Sequence, residues 1–385
     1  MLNMHYLDNA ATSWPKPEAV YQTADKFMRE IGANPGRSGH CLAKQADTIV
    51  EETRELLAEF FGAPDPKLVT FTFNGTDGLN LVIKGLLAPG DHAITSNIEH
   101  NSVSRPLRRL EQQGVDVTYL QADANGLLFA EDLAPLLRPE TKLVIMSHAS
   151  NVLGAVQDVA ALAKVAHQNG ALFALDAAQT AGHQPIDMQA LGIDILVVPG
   201  HKGLLAPYGT GAVISLRDAG ILPWRDGGTG IKSDSRMHPN ELPYRLEGGT
   251  LNAAGIAGLG AAIKFINAEG LTNIAAKESN DMQQLLACLQ AEERITIYGP
   301  RSAAERAGLV AFNVAGLSSA ELGQQLNDDW RVAGRPGLHC SPLSHRAVGT
   351  FPDGSYRLSP GYLKRLRSNQ ANLPGTITAA AAVCS

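Results

Sequence analysis

Short apolar runs alternate with helical patterns between residues 69 and 198, and this alternation constrains the fold more than any other feature of the sequence. Apolar residues recur at helical spacing between the runs, for example Val159, Leu162 and Val165 ahead of Gly170. Such alternation predicts a mostly parallel sheet that is covered by helices on both faces. The predicted strands are Val69–Phe73, Ala93–Ser96, Val117–Leu120, Leu143–Ser147, Leu172–Asp176 and Ile195–Val198.

The length of the chain predicts two domains, because 385 residues exceed what a single hydrophobic core usually holds. A second α+β pattern follows residue 251, with strands near Ile295–Tyr298 and Leu309–Val314. The intervening residues 217–249 are rich in Gly and are predicted to be irregular. We expect a large domain over residues 14–258 and a small domain formed by residues 1–13 and 259–385.

The composition is that of an ordinary globular enzyme. The chain is 44% hydrophobic and 18% charged, and its net charge is −6, which favours neither nucleic acid nor an anionic membrane as a partner. No apolar run reaches membrane-spanning length, and the first residues lack the pattern of a signal peptide, so a cytoplasmic location is expected. The four cysteines lie far apart, which predicts neither a disulfide framework nor a metal site.

Polar side chains follow two neighbouring predicted strands. Asp176 and Gln179 follow one strand, and His201 and Lys202 follow the next. Because the carboxyl ends of parallel strands meet at one edge of a sheet, these side chains should face one ligand site. A lysine beside a carboxylate suits pyridoxal phosphate (PLP), which needs an amine for its aldehyde and an acid against its pyridine nitrogen.

The segment from Phe73 to Asn80 joins a strand to a predicted helix over Leu79–Leu86. With Gly75 and Thr76 at its turn, it offers backbone N–H groups and a hydroxyl to a phosphate. The alternative is a plain strand–helix turn in which Thr76 is the N-cap. No Gly-x-x-x-x-Gly-Lys-Ser/Thr motif occurs, which argues against a nucleoside triphosphate.

Two further polar residues follow strands. His100 can stack on a planar ligand or move a proton, although a single His is often only a hydrogen-bonded structural residue. Asn151 can contact a ligand or simply form a turn.

A Gly- and Pro-flanked segment carries Arg335, His339 and Cys340, and Cys340 is predicted to lie on a loop. Basic neighbours lower the pKa of a thiol, so Cys340 is a candidate nucleophile, the alternative being an inert cysteine. Arg357, in a segment typical of a half-buried strand, can pair with a carboxylate or remain a surface cation. The remaining cysteines are Cys288, expected on the apolar face of a helix and in the hydrophobic core, and Cys41 and Cys384, for which no role is assigned.

Taken together, these segments resemble the class V, fold-type I family of PLP-dependent enzymes, in particular its cysteine desulfurase and selenocysteine lyase branch. The match runs from Tyr6-Leu-Asp-Asn-Ala-Ala-Thr12 to Arg357-Leu-Ser-Pro-Gly-Tyr362. The superfamily pattern is Asp176-x-x-Gln179 followed by Gly200-His201-Lys202, and Arg335-x-Gly-x-His-Cys340 is typical of the desulfurases. The resemblance implies an α/β fold with a mostly parallel seven-stranded sheet and a smaller α+β domain.

The resemblance also implies a role for each motif residue. Lys202 is the lysine that bonds to PLP and carries protons, Asp176 holds the pyridine nitrogen, Gln179 binds the phenolic oxygen and His100 stacks on the ring. Asn151 supports the ring and the substrate, and Arg357, with Arg335 nearby, binds the substrate carboxylate. The phosphate ligands are Gly75, Thr76 and His201, together with Thr250, which reaches the site of the neighbouring subunit in a homodimer.

The activity implied is conversion of L-cysteine to L-alanine, with a persulfide formed on Cys340 and its sulfur passed to an acceptor. Selenocysteine is an alternative substrate. Another PLP reaction, such as an aminotransferase or epimerase reaction with an incidental cysteine, is a second reading. A non-catalytic binding protein is a third.

Two departures from the family pattern stand out. Relatives carry Ser or Thr before the Gly-His-Lys motif, whereas Pro199 supplies neither a hydroxyl nor an N–H group, which predicts weaker cofactor binding. Residues 363–385 also depart from the pattern, and no function is assigned to them.

Overall fold

The computed structural model describes residues 4–36 and 39–363. Cys384 and nearly all of the segment 363–385 therefore lie outside the described residues. The strands within these ranges are β1 His5–Tyr6, β2 Val69–Thr72, β3 His92–Ser96, β4 Asp116–Leu120, β5 Thr141–Ser147, β6 Leu172–Asp176, β7 Ile195–Pro199, β8 Gly211–Ser215, β9 Ile295–Tyr298, β10 Val310–Val314, β11 Val332–Ala333, β12 Arg335–Gly337 and β13 Ser355–Leu358.

Helices connect most of these strands. They are α1 Glu18–Lys26, α2 Cys41–Phe61, α3 Gly75–Leu86, α4 Asn101–Glu111, α5 Ala130–Leu133, α6 Val159–Gln168, α7 Met188–Leu191, α8 Ala253–Glu269, α9 Leu271–Gln290, α10 Ser319–Trp330 and α11 Pro342–Ala347.

The central sheet has seven strands in the order β2-β8-β7-β6-β5-β3-β4. β8 runs antiparallel to both of its neighbours, and the other pairs are parallel. The predicted α/β class and the mostly parallel sheet are confirmed, and each predicted strand begins and ends within two residues of the observed one. These strands were predictable because both faces of a parallel sheet are buried, so each strand is a continuous apolar run.

Side chains of the central strands alternate between two hydrophobic clusters. Phe173 and Leu175 of β6 enter a cluster with α2, α6 and α8, whereas Ala174 enters a cluster with α3 and α4. The sheet is therefore covered on both faces, as predicted, and its carboxyl edge is left for ligands.

A second, four-stranded antiparallel sheet has the order β12-β13-β10-β9 and packs against α9 and α10. The N-terminal strand β1 joins this region by pairing in parallel with β11. Cys288 on α9 is half-buried against this cluster rather than in its centre. The domain boundary predicted after residue 258 falls inside α8, and the division into domains remains a prediction.

Residues 217–249 contain no helix or strand, in agreement with the prediction of an irregular segment. A buried ion pair between Glu247 and Arg54 of α2 ties the segment to the rest of the fold. In the part of the chain that is described, every helix is too short or too polar to cross a membrane.

Candidate active site

A cavity of about 210 Å³ lies where the carboxyl ends of β3, β5, β6 and β7 meet the N-terminus of α3 and the small sheet. Most of the predicted site residues line it, and they come from segments spread over the whole chain. Those lining residues are Gly75, Thr76, His100, Asn151, Asp176, Gln179, His201, Lys202, Arg335 and Arg357.

Lys202 and Asp176 contribute opposite charges to this cavity. Burial lowers the pKa of Lys202 to about 8, with Asp176 opposing the shift and Arg357 adding to it. Burial also raises the pKa of Asp176, although the Ala178 N–H group, 2.9 Å from a carboxylate oxygen, and the charge of Lys202 oppose that rise. A desolvated amine and a desolvated acid thus share one ligand space.

The chain around Lys202 is held by the N-terminal segment. The Lys16 amine donates to the His201 carbonyl at 2.7 Å, and the Ser13 hydroxyl donates to the Lys202 carbonyl at 2.7 Å. The His201 ring lies 3.2 Å from the Thr12 hydroxyl and stacks on Tyr208. These bonds fix the backbone from which the Lys202 side chain enters the cavity.

The N-terminus of α3 faces the cavity with Gly75 and Thr76 in its first turn. The N-cap is Asn74, whose side chain accepts the Asp77 N–H at 2.9 Å, so the alternative that Thr76 is the N-cap is wrong. The helix also begins four residues earlier than predicted. Because the side-chain cap precedes them, Gly75 and Thr76 are left to offer N–H groups and a hydroxyl to an anion.

His100 caps α4 and is connected to α3 through one hydroxyl. Its Nδ1 atom lies 2.9 Å from the Ser102 hydroxyl, which is 2.6 Å from the Thr76 hydroxyl. Burial, with the charges of Lys202 and Arg335, lowers the pKa of His100 to about 4, so its ring is neutral near pH 7. A neutral flat ring in the cavity wall suits stacking on a planar ligand.

Two amides hold the cavity wall to neighbouring segments. Gln179 donates to the Ala10 carbonyl at 3.2 Å, and Asn151 donates to the His339 carbonyl at 2.7 Å. The second bond connects the loop after β5 to the loop of Cys340.

Arg357 is fully buried in β13, with 1% of its surface exposed, which excludes the surface-cation reading. Every residue of this strand is buried, so the half-buried pattern predicted for it is wrong. The guanidinium donates to the Asn151 carbonyl and to the Asp8 carboxylate, each at 2.9 Å. Its Nε–H has no hydrogen-bond partner among the described residues, so this cation at the cavity wall retains capacity for an anion.

Cys340 is exposed on the predicted loop beside the cavity, not within its lining. Its sulfur lies 3.7 Å from the Arg335 guanidinium, and its carbonyl accepts the Asn101 N–H at 2.8 Å. Cys41 is exposed at the start of α2.

Thr250 is exposed and lies outside the cavity of its own chain. It lines a separate depression with Asn34, Glu51, Arg54 and Glu247.

Sequence reasoning missed several residues that support the site. Glu99, fully buried next to His100, accepts the Ser147 hydroxyl at 2.7 Å, and burial raises its pKa to about 7. Asp8 pairs with Arg357. The signal for Glu99 was an acid beside a candidate His at a strand end, but Asp8 and Arg357 are too far apart in sequence to be paired by pattern.

The cavity fits PLP on its own chemistry. It combines an amine, a buried carboxylate, a neutral ring and a helix N-terminus, which match the aldehyde, the pyridine nitrogen, the ring face and the phosphate of PLP. No group of three or more His, Cys, Asp or Glu residues is arranged to hold a metal ion in residues 4–36 and 39–363.

Comparison with known proteins gives concordant matches. The model of the Aminotransferase class-V family matches residues 5–363. The probable cysteine desulfurase of Methanothermobacter thermautotrophicus is 35% identical over 89% of this chain and 86% of its own, and the cysteine desulfurase of Klebsiella pneumoniae is 36% identical over 89% and 85%. The apo structure of a cysteine desulfurase from Thermococcus onnurineus covers 99% of this chain and 94% of its own with a TM-score of 0.89 and 32% identity.

Proposed function

Because the chain belongs to the class-V aminotransferase family, whose members include PLP-dependent cysteine desulfurases, we propose that it converts L-cysteine to L-alanine and takes the sulfur on Cys340. One observation carries the proposal. An exposed cysteine, contacted by an arginine, stands beside a cavity that contains a desolvated lysine and a buried aspartate.

Different residues of the cavity would bind different parts of the cofactor. The first turn of α3, with Gly75 and Thr76, and the His201 ring would hold the phosphate, and Gln179 would bind the phenolic oxygen. The buried Asp176 carboxylate would accept a hydrogen bond from the N–H of the pyridine ring and so favour the cationic ring. When bound, PLP supplies an aldehyde that condenses with amines and a ring that withdraws electrons from the α carbon of the substrate.

The substrate is oriented by the small-domain side of the cavity. The Arg357 guanidinium pairs with the substrate carboxylate, and Arg335 adds a second positive charge nearby. The Asn151 side chain remains bonded to the loop of Cys340, so it couples substrate binding to the position of that loop. Lys202 takes the α-proton at Nζ, a role that its lowered pKa favours because the neutral amine is then available near pH 8.

The sulfur step uses the Cys340 thiolate as nucleophile. An S–S bond forms between Cys340 and the substrate sulfur, the C–S bond of the substrate breaks, and its electron pair remains on the three-carbon fragment. Protonation of that fragment gives alanine, so cysteine and one Cys340 thiol become alanine and one Cys340 persulfide. A second thiol, on an acceptor protein or a small molecule, then takes the terminal sulfur and restores the Cys340 thiol.

Further parts of the proposal rest on the sequence. The active form is a homodimer in which Thr250 reaches the phosphate site of the neighbouring subunit, and its exposure outside its own cavity supports this. A cytoplasmic location and selenocysteine as an alternative substrate are proposed with it.

The proposal is tested by incubating the PLP-loaded protein with L-cysteine, selenocysteine or cystine and measuring alanine, sulfide and selenide. Alanine release from cysteine is expected, and Cys340→Ala should abolish it while PLP stays bound. The matched control is Cys41→Ala, which removes an exposed thiol away from the cavity and should leave the rate unchanged. Equal sulfur release by the Cys340→Ala protein would overturn the assignment of Cys340. A variant that loses activity only with cysteine would identify a selenocysteine lyase.

A further inference from the structure

Two consecutive residues of the Cys340 loop have left-handed backbone conformations. The φ angles are 51° at His339 and 58° at Cys340. For a residue other than glycine, such a conformation costs on the order of 1 kcal/mol or more. The loop therefore needs contacts that hold it in place.

Hydrogen bonds from the large-sheet region hold the backbone of this loop. Asn151 donates to the His339 carbonyl at 2.7 Å, and the Asn101 N–H donates to the Cys340 carbonyl at 2.8 Å. These bonds fix two carbonyl groups, but they do not contact the side chain of His339.

The His339 side chain has its own partners in a buried pair with His345. The rings are stacked, with centroids 5.4 Å apart and an interplanar angle of 27°, and Nδ1 of His339 lies 3.3 Å from Nε2 of His345. The other nitrogen of His339 lies 2.9 Å from the Arg335 carbonyl, and the other nitrogen of His345 lies 2.7 Å from the Thr350 hydroxyl. The exposed fractions are 3% for His339, which lines the cavity, and 0% for His345, so the His345 ring cannot exchange its partners for bulk water.

The directions of the three hydrogen bonds that run from Arg335 through the two histidines to Thr350 follow from the first acceptor, the Arg335 carbonyl. The Arg335 carbonyl can only accept, so Nε2 of His339 carries a proton. Burial lowers the pKa of His339 to about 3 and that of His345 to about 4, so both rings are neutral near pH 7. Nδ1 of His339 is then an acceptor for the N–H at Nε2 of His345, whose Nδ1 accepts the Thr350 hydroxyl proton.

We propose that His345 is a positioning residue for Cys340. Its ring, oriented by Thr350, holds the His339 ring against the Arg335 carbonyl and so maintains the left-handed backbone that places the Cys340 thiol beside the cavity. In this conformation the Arg335 guanidinium lies 3.7 Å from the Cys340 sulfur. The inference rests on the proposed function, because Cys340 is the nucleophile in that function.

The test compares His345→Leu, which keeps bulk but removes the hydrogen bonds of the ring, with His345→Gln, which keeps a donor and an acceptor. Because small displacements of a reacting group are costly, His345→Leu should lower kcat for alanine release by about 10- to 100-fold with little change in KM. Amide hydrogen exchange in residues 335–345 should become faster in the same variant, while the Kd for PLP stays at the wild-type value. His345→Gln should restore most of kcat and of the protection from exchange.

His92 provides the matched control. It is also a buried histidine bonded to two threonine hydroxyls, at 2.8 Å and 2.9 Å, but it lies at the start of β3, away from the cavity. His92→Leu should lower thermal stability without changing kcat or the exchange of residues 335–345.

If His345→Leu does not fold, Thr350→Val provides the test. It removes only the Thr350 hydroxyl that bonds His345, and it should lower kcat by a smaller factor than His345→Leu. The inference would be overturned if folded His345→Leu, or Thr350→Val in its place, kept the wild-type kcat and the wild-type amide exchange of residues 335–345. An equal loss of kcat in His92→Leu would also overturn it. Failure of the proposed function is distinguishable, because the wild-type protein would then release no alanine, while the exchange comparison would still test the positioning role.

Discussion

At the scale of single residues, the fold changes what ordinary side chains do. An exposed lysine is protonated near neutral pH, but burial in the cavity lowers the pKa of Lys202 from 10.5 to about 8. The shift follows from desolvation, which disfavours the charged amine and outweighs the attraction of Asp176. The consequence is a nucleophilic amine at moderately alkaline pH.

This shift predicts a pH dependence for cofactor uptake. In protein from which PLP has been removed, the rate of imine formation on added PLP should rise as the pH passes through about 8, because the neutral amine is the reactive form. Visible absorbance measures the rate, and Lys202→Ala is the blank. A midpoint near 10.5, the ordinary lysine value, would contradict the assigned environment.

Pro199 gives a second prediction at this scale. Its ring lines the cavity and packs 3.6 Å from where a Cβ of Gly75 would stand, next to the predicted phosphate seat. Pro199→Ser supplies a hydroxyl and an N–H group there, and a hydrogen bond to a charged group contributes about 1.5–3 kcal/mol. We expect the Kd for PLP, measured by fluorescence titration, to fall by about tenfold.

Pro199→Ala is the control for this change, because it removes the ring and restores the N–H group without adding a hydroxyl. Equal affinities in the Ser and Ala variants would show that the hydroxyl does not reach the phosphate.

Which residues gather at the site was largely predictable, because strand ends of a parallel sheet converge on one edge. That reasoning places Asp176, His100 and Lys202 together, as the structure does. It could not predict the burial of Arg357, which depends on how the small sheet packs against the large one. Nor could it predict the pairing of His339 with His345, which depends on the local turn between β12 and α11.

At the scale of elements, a buried ion pair holds the irregular segment before α8 to the large sheet. Arg54 on α2 makes two bonds to the Glu247 carboxylate, at 2.7 Å and 3.1 Å, and Glu247 also accepts the Phe71 N–H of β2 at 2.6 Å. Both side chains are almost completely buried. The pair therefore fixes the end of the segment 217–249, next to Thr250.

Removing one residue of the Arg54–Glu247 pair leaves the charge of the other residue buried without its partner. Arg54→Met should lower the free energy of unfolding by about 3–5 kcal/mol, as measured by urea denaturation. The control is Lys26→Met, since Lys26 pairs with Glu30 at 3.9 Å on an exposed helix face, where a pair contributes at most about 1 kcal/mol. Similar losses in the two variants would mean that the buried pair does not hold this segment.

Strand positions were predicted more closely than helix starts. A buried strand is visible as an apolar run, whereas the start of α3 depends on the Asn74 cap, whose side chain bonds the Asp77 N–H only once the chain has turned. Capping residues also favour ordinary turns, so sequence alone does not separate the two cases.

At the scale of the whole molecule, the site exists only when the two sheets are docked. The loop of Cys340 belongs to the small sheet, yet Ser341 donates to the Glu99 carbonyl at 2.7 Å and Ser344 to the Ile98 carbonyl at 2.9 Å. The candidate nucleophile and the cofactor lysine therefore reach one place through long-range packing.

The proposed homodimer predicts that each site uses Lys202 from one subunit and Thr250 from the other. In co-expressed heterodimers of Lys202→Ala and Thr250→Val chains, one site per dimer regains both residues. At sub-saturating PLP, alanine release per dimer should approach about half of the wild-type rate.

The control heterodimer pairs a wild-type chain with the double variant, Lys202→Ala and Thr250→Val. Its single lysine-bearing site should behave like the Thr250→Val homodimer. If this control matches the first heterodimer, Thr250 does not act across subunits.

The most direct test of the account is to locate the sulfur after a single turnover. PLP-loaded protein is mixed with less than one equivalent of L-cysteine, and its peptides are analysed by mass spectrometry while alanine is quantified. If Cys340 is the nucleophile, one added sulfur is expected on the Cys340 peptide in step with alanine, and neither product is expected in Cys340→Ala. Sulfur on Cys41 or Cys288, or alanine formed by Cys340→Ala at the wild-type rate, would contradict it.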